Sequence, residues 1–210
     1  SAMLAQALQK WVTLGVGLGA LHGNWLAFEA DEGRAERARK LDEVLDIYAG
    51  LMGGQPFSYT GEHFSASPVT ELVPPPPVQT PHPPVWCVGL MLPGRSRQRS
   101  LERAARWQGV FPAVAGGSLE NPGSHLTPVS LRELVGHITT LRAADGQSME
   151  GYDVVVEGDS HGEFGTVHPP VEQWADAGAT WWVESWWDLP DSPEGRRELR
   201  RRLELGPPRT

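Results

Sequence analysis

Residues 83–113, PPVWCVGLMLPGRSRQRSLERAARWQGVFPA, constrain the fold of this chain more than any other stretch. An apolar run at 85–88, bounded by prolines and a glycine, predicts a short buried strand. Leucine and alanine recur at helical spacing within 97–106 and predict a helix. A second buried strand is predicted at 109–113. The order strand, loop, helix, strand is that of a βαβ unit.

The loop that leaves the first strand is the natural ligand site of such a unit. Backbone N–H groups at the start of the helix point into this loop, and the helix dipole favours an anion there. Gly89 opens the loop and Gly94 marks a turn within it. Arg95 adds a positive charge, and Ser96 adds a hydroxyl donor and can cap the helix. The segment from Gly89 to Ser96 is therefore predicted to bind a phosphate; the alternative is an ordinary strand-to-helix connection.

Five apolar runs along the chain predict strands, and each is followed by at least one helix or loop. The runs lie near 11–18, 85–88, 109–113, 153–156 and 180–184. Helices are predicted at 34–52 and 97–106, after caps at Thr127 and Ser192, and after Pro170. This alternation indicates an α/β protein with a parallel sheet. Five such strands are compatible with an open doubly wound sheet and with the last five strands of an eight-stranded barrel.

Alternating glycines in the first run, GVGLG, superficially resemble a dinucleotide-binding loop. Their spacing is not G-x-G-x-x-G, and no helix begins straight after them, which excludes that reading. Glycines in a strand instead allow a ligand or a neighbouring backbone to come close. We therefore place Gly17 among the candidate cofactor-binding residues.

The length of 210 residues suits a single domain, which we assign to 4–210. Residues 1–3 read as a cloning remnant. Residues 55–84 are predicted to be an irregular, proline-rich insertion that contains a small hairpin around Thr60 and Gly61. A net charge of −8 argues against a nucleic-acid surface, because phosphate backbones require an excess of lysine and arginine.

The single cysteine, Cys87, cannot form an internal disulfide, which predicts a reducing cytoplasm. The sequence contains no signal peptide and no apolar run of about 18 residues, so no membrane span is predicted. It also contains no CxxC or HExxH motif, so no metal site is predicted.

Polar and aromatic residues follow several of the predicted strands, where barrel enzymes carry their chemistry. They are His22, Asn24, Trp25, His125, Glu157, Asp159, His161, His168, Glu184, Trp186 and Trp187. No single one is assigned a catalytic role. Glu184 ends an apolar strand; the alternative to chemistry is a carboxylate bonded to a loop or paired with an arginine. Four tryptophans near the last predicted strand can stack on a planar ring or belong to the core and an interface: Trp181, Trp182, Trp186 and Trp187.

Six segments in order resemble the bacterial luciferase-like monooxygenase family. They are GVGLG, RAERARKLDEVLDIYAGLMGGQPFSYTGEHF, PVQTPHPPVWCVG, RAARWQGVFP, DVVVEG and AGATWWVES, and they extend over most of the chain from Trp11 to Pro208. The resemblance implies a (β/α)8 TIM-type barrel that binds FMN or the deazaflavin coenzyme at the strand C-termini. It also implies a flavin-dependent monooxygenase or oxidoreductase acting on a small organic substrate, with 89–96 as the cofactor-phosphate loop.

Relatives of this family carry about three further βα units before the GVGLG strand, so we expect an incomplete barrel of five parallel strands. Such an arc has two open edges and an uncovered apolar interior, which favours a homodimer that covers both. The alternative function is a non-catalytic dimeric barrel remnant that acts as a binding or accessory protein.

Overall fold

A computed structural model of the chain describes residues 12–19, 30–68, 75–116, 126–160, 169–185 and 189–207. The strands are β1 (Leu14–Val16), β2 (Tyr59–Thr60), β3 (Ser65–Ala66), β4 (Val85–Met91), β5 (Gly109–Val114), β6 (Asp153–Gly158) and β7 (Trp181–Glu184). The helices are α1 (Arg34–Met52), α2 (Arg99–Arg106), α3 (Pro128–Ala144), α4 (Val171–Asp176) and α5 (Pro193–Leu205).

Five of these strands form one sheet in the order β1-β4-β5-β6-β7. Parallel pairing aligns Leu14 with Val85 at one end of this order and Val155 with Trp181 at the other. Strands that are neighbours in the chain are neighbours in the sheet, with helices between them, as βαβ connections require. The predicted α/β fold with five parallel strands is therefore confirmed.

The chain divides into two compact units, and the division falls inside β4. The first unit comprises Ser1–Val88 with Arg106–Gly109, and the second comprises Gly89–Ala105 with Val110–Thr210. The assignment of 4–210 to a single domain stays a prediction. No helix in the described ranges is both long enough and apolar enough to cross a membrane.

In the first unit, α1 carries the antiparallel hairpin of β2 and β3, the hairpin expected around Thr60 and Gly61. The Glu43 carboxylate on α1 accepts backbone N–H bonds of 2.9–3.1 Å from Glu62, His63 and Phe64. A Cβ at Gly61 would meet this carboxylate, so a side chain there would displace Glu43 from these bonds. Burial raises the pKa of Glu43, but these backbone bonds outweigh it and hold the pKa below its ordinary value.

In the second unit, α2 lies close against the sheet because Gly89 has no side chain. A Cβ on Gly89 would come within 2.5 Å of Val110 Cγ2 and 3.0 Å of Leu101 Cδ2. Leu101 and Val110 are fully buried there. The Tyr152 hydroxyl donates a 3.0 Å bond to the Ala104 carbonyl oxygen and ties β6 to the end of α2. This small-residue contact sets how close the helix lies to the strands.

Three predicted boundaries were wrong. β4 does not end at Val88 but runs to Met91, because Gly89, Leu90 and Met91 are buried against the core and continue the strand. α2 begins at Arg99, so Ser96 is not its cap. The backbone carbonyl of Gln98 instead accepts the first helical bonds, from the N–H groups of Leu101 and Glu102. β1 covers only Leu14–Val16 of the predicted run at 11–18, of which Trp11 lies outside the described residues.

Other expectations are confirmed. α1 spans the predicted range, although only Leu45 of its apolar stripe is buried. Thr127 and Ser192 cap α3 and α5, and each of these helices begins with a proline. Of the tryptophans near the last strand, Trp181 is 52% exposed and Trp182 is partly buried, so neither lies in the buried core.

Gly89→Ala and Gly136→Ala should change stability in opposite directions. The new methyl at Gly89 overpacks the contact with Leu101 and Val110, and we expect a loss of about 1–3 kcal/mol. Gly136 lies inside α3 with open space where a Cβ would stand, so alanine should gain about 0.5–1 kcal/mol through helix propensity. Urea unfolding of both variants measures the two changes, and a neutral Gly89→Ala would contradict the packing.

Glu43→Gln should loosen the β2–β3 hairpin, because an amide accepts backbone N–H bonds more weakly than a carboxylate. We expect hydrogen exchange at Glu62, His63 and Phe64 to accelerate by roughly tenfold or more at neutral pH. In the wild type the bound carboxylate stabilises the hairpin above the ordinary carboxyl pKa, and this is lost as pH falls through the lowered folded pKa. Glu172→Gln, on the exposed surface of α4, is the control.

Candidate functional site

The loop between β4 and α2 lies entirely in the second unit. Pro93 and Gly94 form its turn, with the N–H of Arg95 donating a 3.2 Å bond to the Leu92 carbonyl oxygen. Gly94 has a φ of 75°, in the left-handed region that glycine adopts without strain. The side chains of Arg95 and Ser96 are exposed beside this turn. The loop therefore presents a cation and a hydroxyl side by side after the C-terminal end of β4.

Two polar side chains from the start of α2 hold this loop to the strand. The Gln98 amide oxygen accepts the N–H of Leu92 at 2.9 Å, and its nitrogen donates to the carbonyls of Leu92 and Arg95 at 2.8 Å each. The Ser100 hydroxyl accepts the N–H of Leu90 at 2.8 Å. Because Gln98 is only 6% exposed, these bonds are shielded from water.

The structure separates the five predicted cofactor-binding residues into three groups. Gly94, Arg95 and Ser96 come together at the exposed turn. Gly89 does not join them, because it lies within β4 and is packed under α2. Gly17 belongs to the first unit, where a Cβ would approach Val88 Cγ2 at 3.1 Å. Both of these glycines thus serve close packing of strands and side chains.

A groove of about 550 Å³ runs beside Ser96 between the start of α2 and α3. Its lining residues are Ser96, Gln98, Glu102, Glu133, Gly136, His137, Thr140 and Leu141. Glu102 is paired with Arg97 at 3.3 Å, while Glu133 lies 4.0 Å from His137 on the same helix. Two carboxylates in this groove disfavour an anion, so an anionic group fits the Arg95 side of the loop and not the groove.

A second polar cluster lies where β6 and β7 end. Glu184 accepts the N–H of Ser160 at 2.9 Å and its hydroxyl at 3.1 Å, and also the Trp182 indole N–H at 2.8 Å. The Arg202 guanidinium, 6% exposed, donates to Ser160 Oγ at 2.7 Å and to Glu184 at 3.3 Å. The cluster therefore joins α5 to the carboxyl ends of two strands.

Glu184 is thus an ionised structural carboxylate. Burial raises the pKa of this carboxyl, but the hydrogen bonds from Trp182, Ser160 and Arg202 outweigh it and hold the pKa below its ordinary value. A carboxylate that already accepts four hydrogen bonds is a poor general base. The alternative weighed from the sequence, a carboxylate tied to a loop and an arginine, is confirmed.

The other candidate residues at the strand ends add little to either polar cluster. Glu157 is exposed, and Asp159 is 7% exposed beside the cluster at Ser160. The other predictions, His22, Asn24, Trp25, His125, His161, His168, Trp186 and Trp187, fall outside the described residues. Among those that the structure describes, no group of three His, Cys, Asp or Glu side chains is placed to hold a metal ion.

Sequence reasoning missed Gln98 and Arg202. A glutamine just before a helix is a weak signal, since its partner backbone groups lie three and six residues upstream across a turn. Arg202 was missed because it sits in an arginine-rich helix, where an arginine is expected to face solvent, whereas its neighbour Leu203 is 73% exposed and Arg202 is buried. Only the tertiary position of α5 explains why this arginine is buried.

No family model matches the chain. Solved structures do. Monooxygenase RslO1 from Streptomyces bottropensis matches with a TM-score of 0.52 and 23% identity, covering 75% of this chain and 43% of that one. The oxygenating constituent of 3,6-diketocamphane monooxygenase from the CAM plasmid of Pseudomonas putida, in complex with FMN, matches with a TM-score of 0.52 and 16% identity, covering 74% and 41%.

An F420-dependent secondary alcohol dehydrogenase, in complex with an F420-acetone adduct, matches with a TM-score of 0.53 and 13% identity. The match covers 98% of this chain and 66% of that one. At these identities the similarity establishes the fold: an α/β barrel type, present here in part, as the luciferase-like resemblance implied. The chain spans about two fifths of the length of the two monooxygenases.

Glu184→Gln should destabilise the second unit, because Arg202 stays buried and loses its counter-charge. We expect a loss of about 1–3 kcal/mol, below the value for a fully buried pair, since the Glu184 side chain is 23% exposed. Adding Arg202→Met should recover part of it. In the wild type this stabilisation is present above the ordinary carboxyl pKa and lost as pH falls through the lowered folded pKa. Urea unfolding across pH tests both statements; equal stability of Glu184→Gln and wild type would refute the assignment.

Proposed function

We propose that the chain is a luciferase-like oxidoreductase or monooxygenase that uses FMN or the deazaflavin coenzyme F420 and acts on a small organic substrate. In this proposal the loop after β4 holds the cofactor phosphate. The proposal rests on the exposure of Arg95 and Ser96 beside the Gly94 turn, at the carboxyl end of a parallel strand. Barrel enzymes build their ligand sites at that end.

The fold comparison supports this proposal from a second direction. One neighbour is a complex with FMN, and another is an F420-dependent enzyme in complex with an F420-acetone adduct. Both cofactors carry a phosphate on a side chain of the ring system. A guanidinium and a hydroxyl that face solvent together are suited to such a group, since arginine can donate two parallel hydrogen bonds to phosphate oxygens.

The residues of the loop fit a phosphate in their chemistry and exposure. Arg95 would donate to the phosphate oxygens, Ser96 would add a hydroxyl donor, and Gly94 leaves the backbone open to close approach. Gly89 and Gly17 would act through packing alone. When bound, a reduced flavin or deazaflavin supplies the hydride or activates oxygen. The protein's part is then to orient the cofactor and to exclude water, while Glu184 keeps the ends of β6 and β7 fixed.

A second candidate is a non-catalytic dimeric binding or accessory protein, and it also has an observation in its favour. Trp181 is 52% exposed on β7, and Val88 is 43% exposed on β4. β1 and β7 end the order of the sheet. Large apolar side chains and terminal strands of this kind favour association, so we propose a homodimer for either function. A reducing cytoplasm, inferred from Cys87, belongs to the same proposal.

Titration with FMN and with riboflavin, which lacks the phosphate, tests the enzyme proposal. We expect saturable micromolar quenching of FMN fluorescence by the wild type. Arg95→Ala should weaken FMN binding by about tenfold or more and leave riboflavin binding unchanged, because only the phosphate contact is lost. Arg97→Ala is the matched control, since Arg97 is exposed on the same loop but paired with Glu102.

The deazaflavin coenzyme is titrated in parallel. Binding of neither cofactor at high micromolar concentration would overturn the enzyme proposal. Light scattering then decides the second candidate: a monomer at micromolar concentration would contradict the dimer.

A further inference from the structure

We propose that Gln98 is the positioning residue of the cofactor-phosphate loop, which it holds in the conformation that presents Arg95 and Ser96. The inference rests on the proposed function of that loop and assigns to Gln98 a role that the sequence pattern did not indicate. Gln98 would not touch the cofactor. It would act through the backbone of Leu92 and Arg95.

The Gln98 side-chain amide takes the place of a neighbouring strand beyond the end of β4. β4 ends at Met91, so the N–H and carbonyl of Leu92 lie just beyond the strand. The Gln98 amide binds both of them, at 2.9 and 2.8 Å, as the peptide group of an adjacent strand would. Both backbone groups of Leu92 therefore stay hydrogen-bonded after β4 ends.

The third bond of the amide fixes the turn itself. The Gln98 nitrogen donates its other hydrogen to the Arg95 carbonyl at 2.8 Å. Together with the bond from the Arg95 N–H to the Leu92 carbonyl, this holds both backbone groups of Arg95. The side chain of Arg95 then starts from a fixed backbone, and less conformational entropy is lost when it binds an anion.

Only glutamine supplies this combination at this length. The position needs one acceptor and two donors on a planar group, buried beside two carbonyls. Glutamate would lack the donors and would place a negative charge next to both carbonyls and the proposed phosphate. Methionine has a similar length and volume but no hydrogen-bonding amide. The two substitutions therefore separate loss of the bonds from addition of a charge.

The test measures FMN and riboflavin affinities of Gln98→Met and Gln98→Glu, with Gln173→Met on exposed α4 as the matched control. We expect Gln98→Met to weaken FMN binding about tenfold, with riboflavin affinity within about twofold of wild type, and Gln98→Glu to weaken FMN binding further. A general loosening of the fold would weaken both ligands together. Equal losses for FMN and riboflavin, or no loss for FMN, would overturn the inference.

A measurement without cofactor keeps this inference distinct from the proposed function. Hydrogen exchange at the Leu92 amide should accelerate about tenfold or more in Gln98→Met and stay unchanged in Gln173→Met. If the wild type binds neither FMN nor F420, the proposed function fails. Faster exchange of the Leu92 amide in Gln98→Met would then still show that Gln98 fixes the conformation of the loop. Unchanged exchange at Leu92 would overturn the loop-setting role whether or not a cofactor binds.

Discussion

The contact at Gly89, where no side chain separates β4 from α2, is the constraint on which the second unit depends. Because Leu101 and Val110 fill the space beside that glycine, the start of α2 is held close to the end of the strand. Only at that short range do the Gln98 amide and the Ser100 hydroxyl reach the backbone of Leu92 and Leu90. The shape of the loop that carries Arg95 and Ser96 thus depends on the packing of Gly89 against Leu101 and Val110.

The order of elements was predictable because hydrophobic periodicity and turn residues are local signals. The boundary of β4 was not. Gly89 looks like the start of a loop in sequence, since glycine breaks strands, but here it serves close packing between a strand and a helix. Whether a glycine opens a loop or admits a helix depends on what lies opposite, and Val110 lies 21 residues further along the chain. The loop predicted to bind a phosphate therefore begins after Met91, and Gly94 to Ser96 are the predicted residues that lie at its exposed turn.

The partners of two carboxylates, Glu43 and Glu184, were likewise not predictable from the residues around them in sequence. In sequence Glu43 belongs to the charged face of a helix, and for Glu184 the sequence leaves open a role in chemistry or a bond to a loop or an arginine. In the structure each is saturated by hydrogen bonds, Glu43 from the hairpin about 20 residues away and Glu184 from Ser160 and Arg202. Their lowered pKa values mark ionised structural groups. Because acid–base catalysis at neutral pH needs a group that titrates near pH 7, neither carboxylate is suited to it.

The structural roles of Glu43 and Glu184 remove both carboxylates from the candidates for acid–base catalysis. With Glu184 committed to Arg202, the described end of β7 supplies rigidity and no proton transfer. Among the described residues of the second unit, Arg95 and Ser96 present an exposed cation and hydroxyl at the carboxyl end of β4. Because the arginine guanidinium stays protonated, this turn is suited to binding an anion and not to accepting a proton. In the proposed function the bound flavin or deazaflavin would supply the redox chemistry, and the turn would supply the contact with its phosphate.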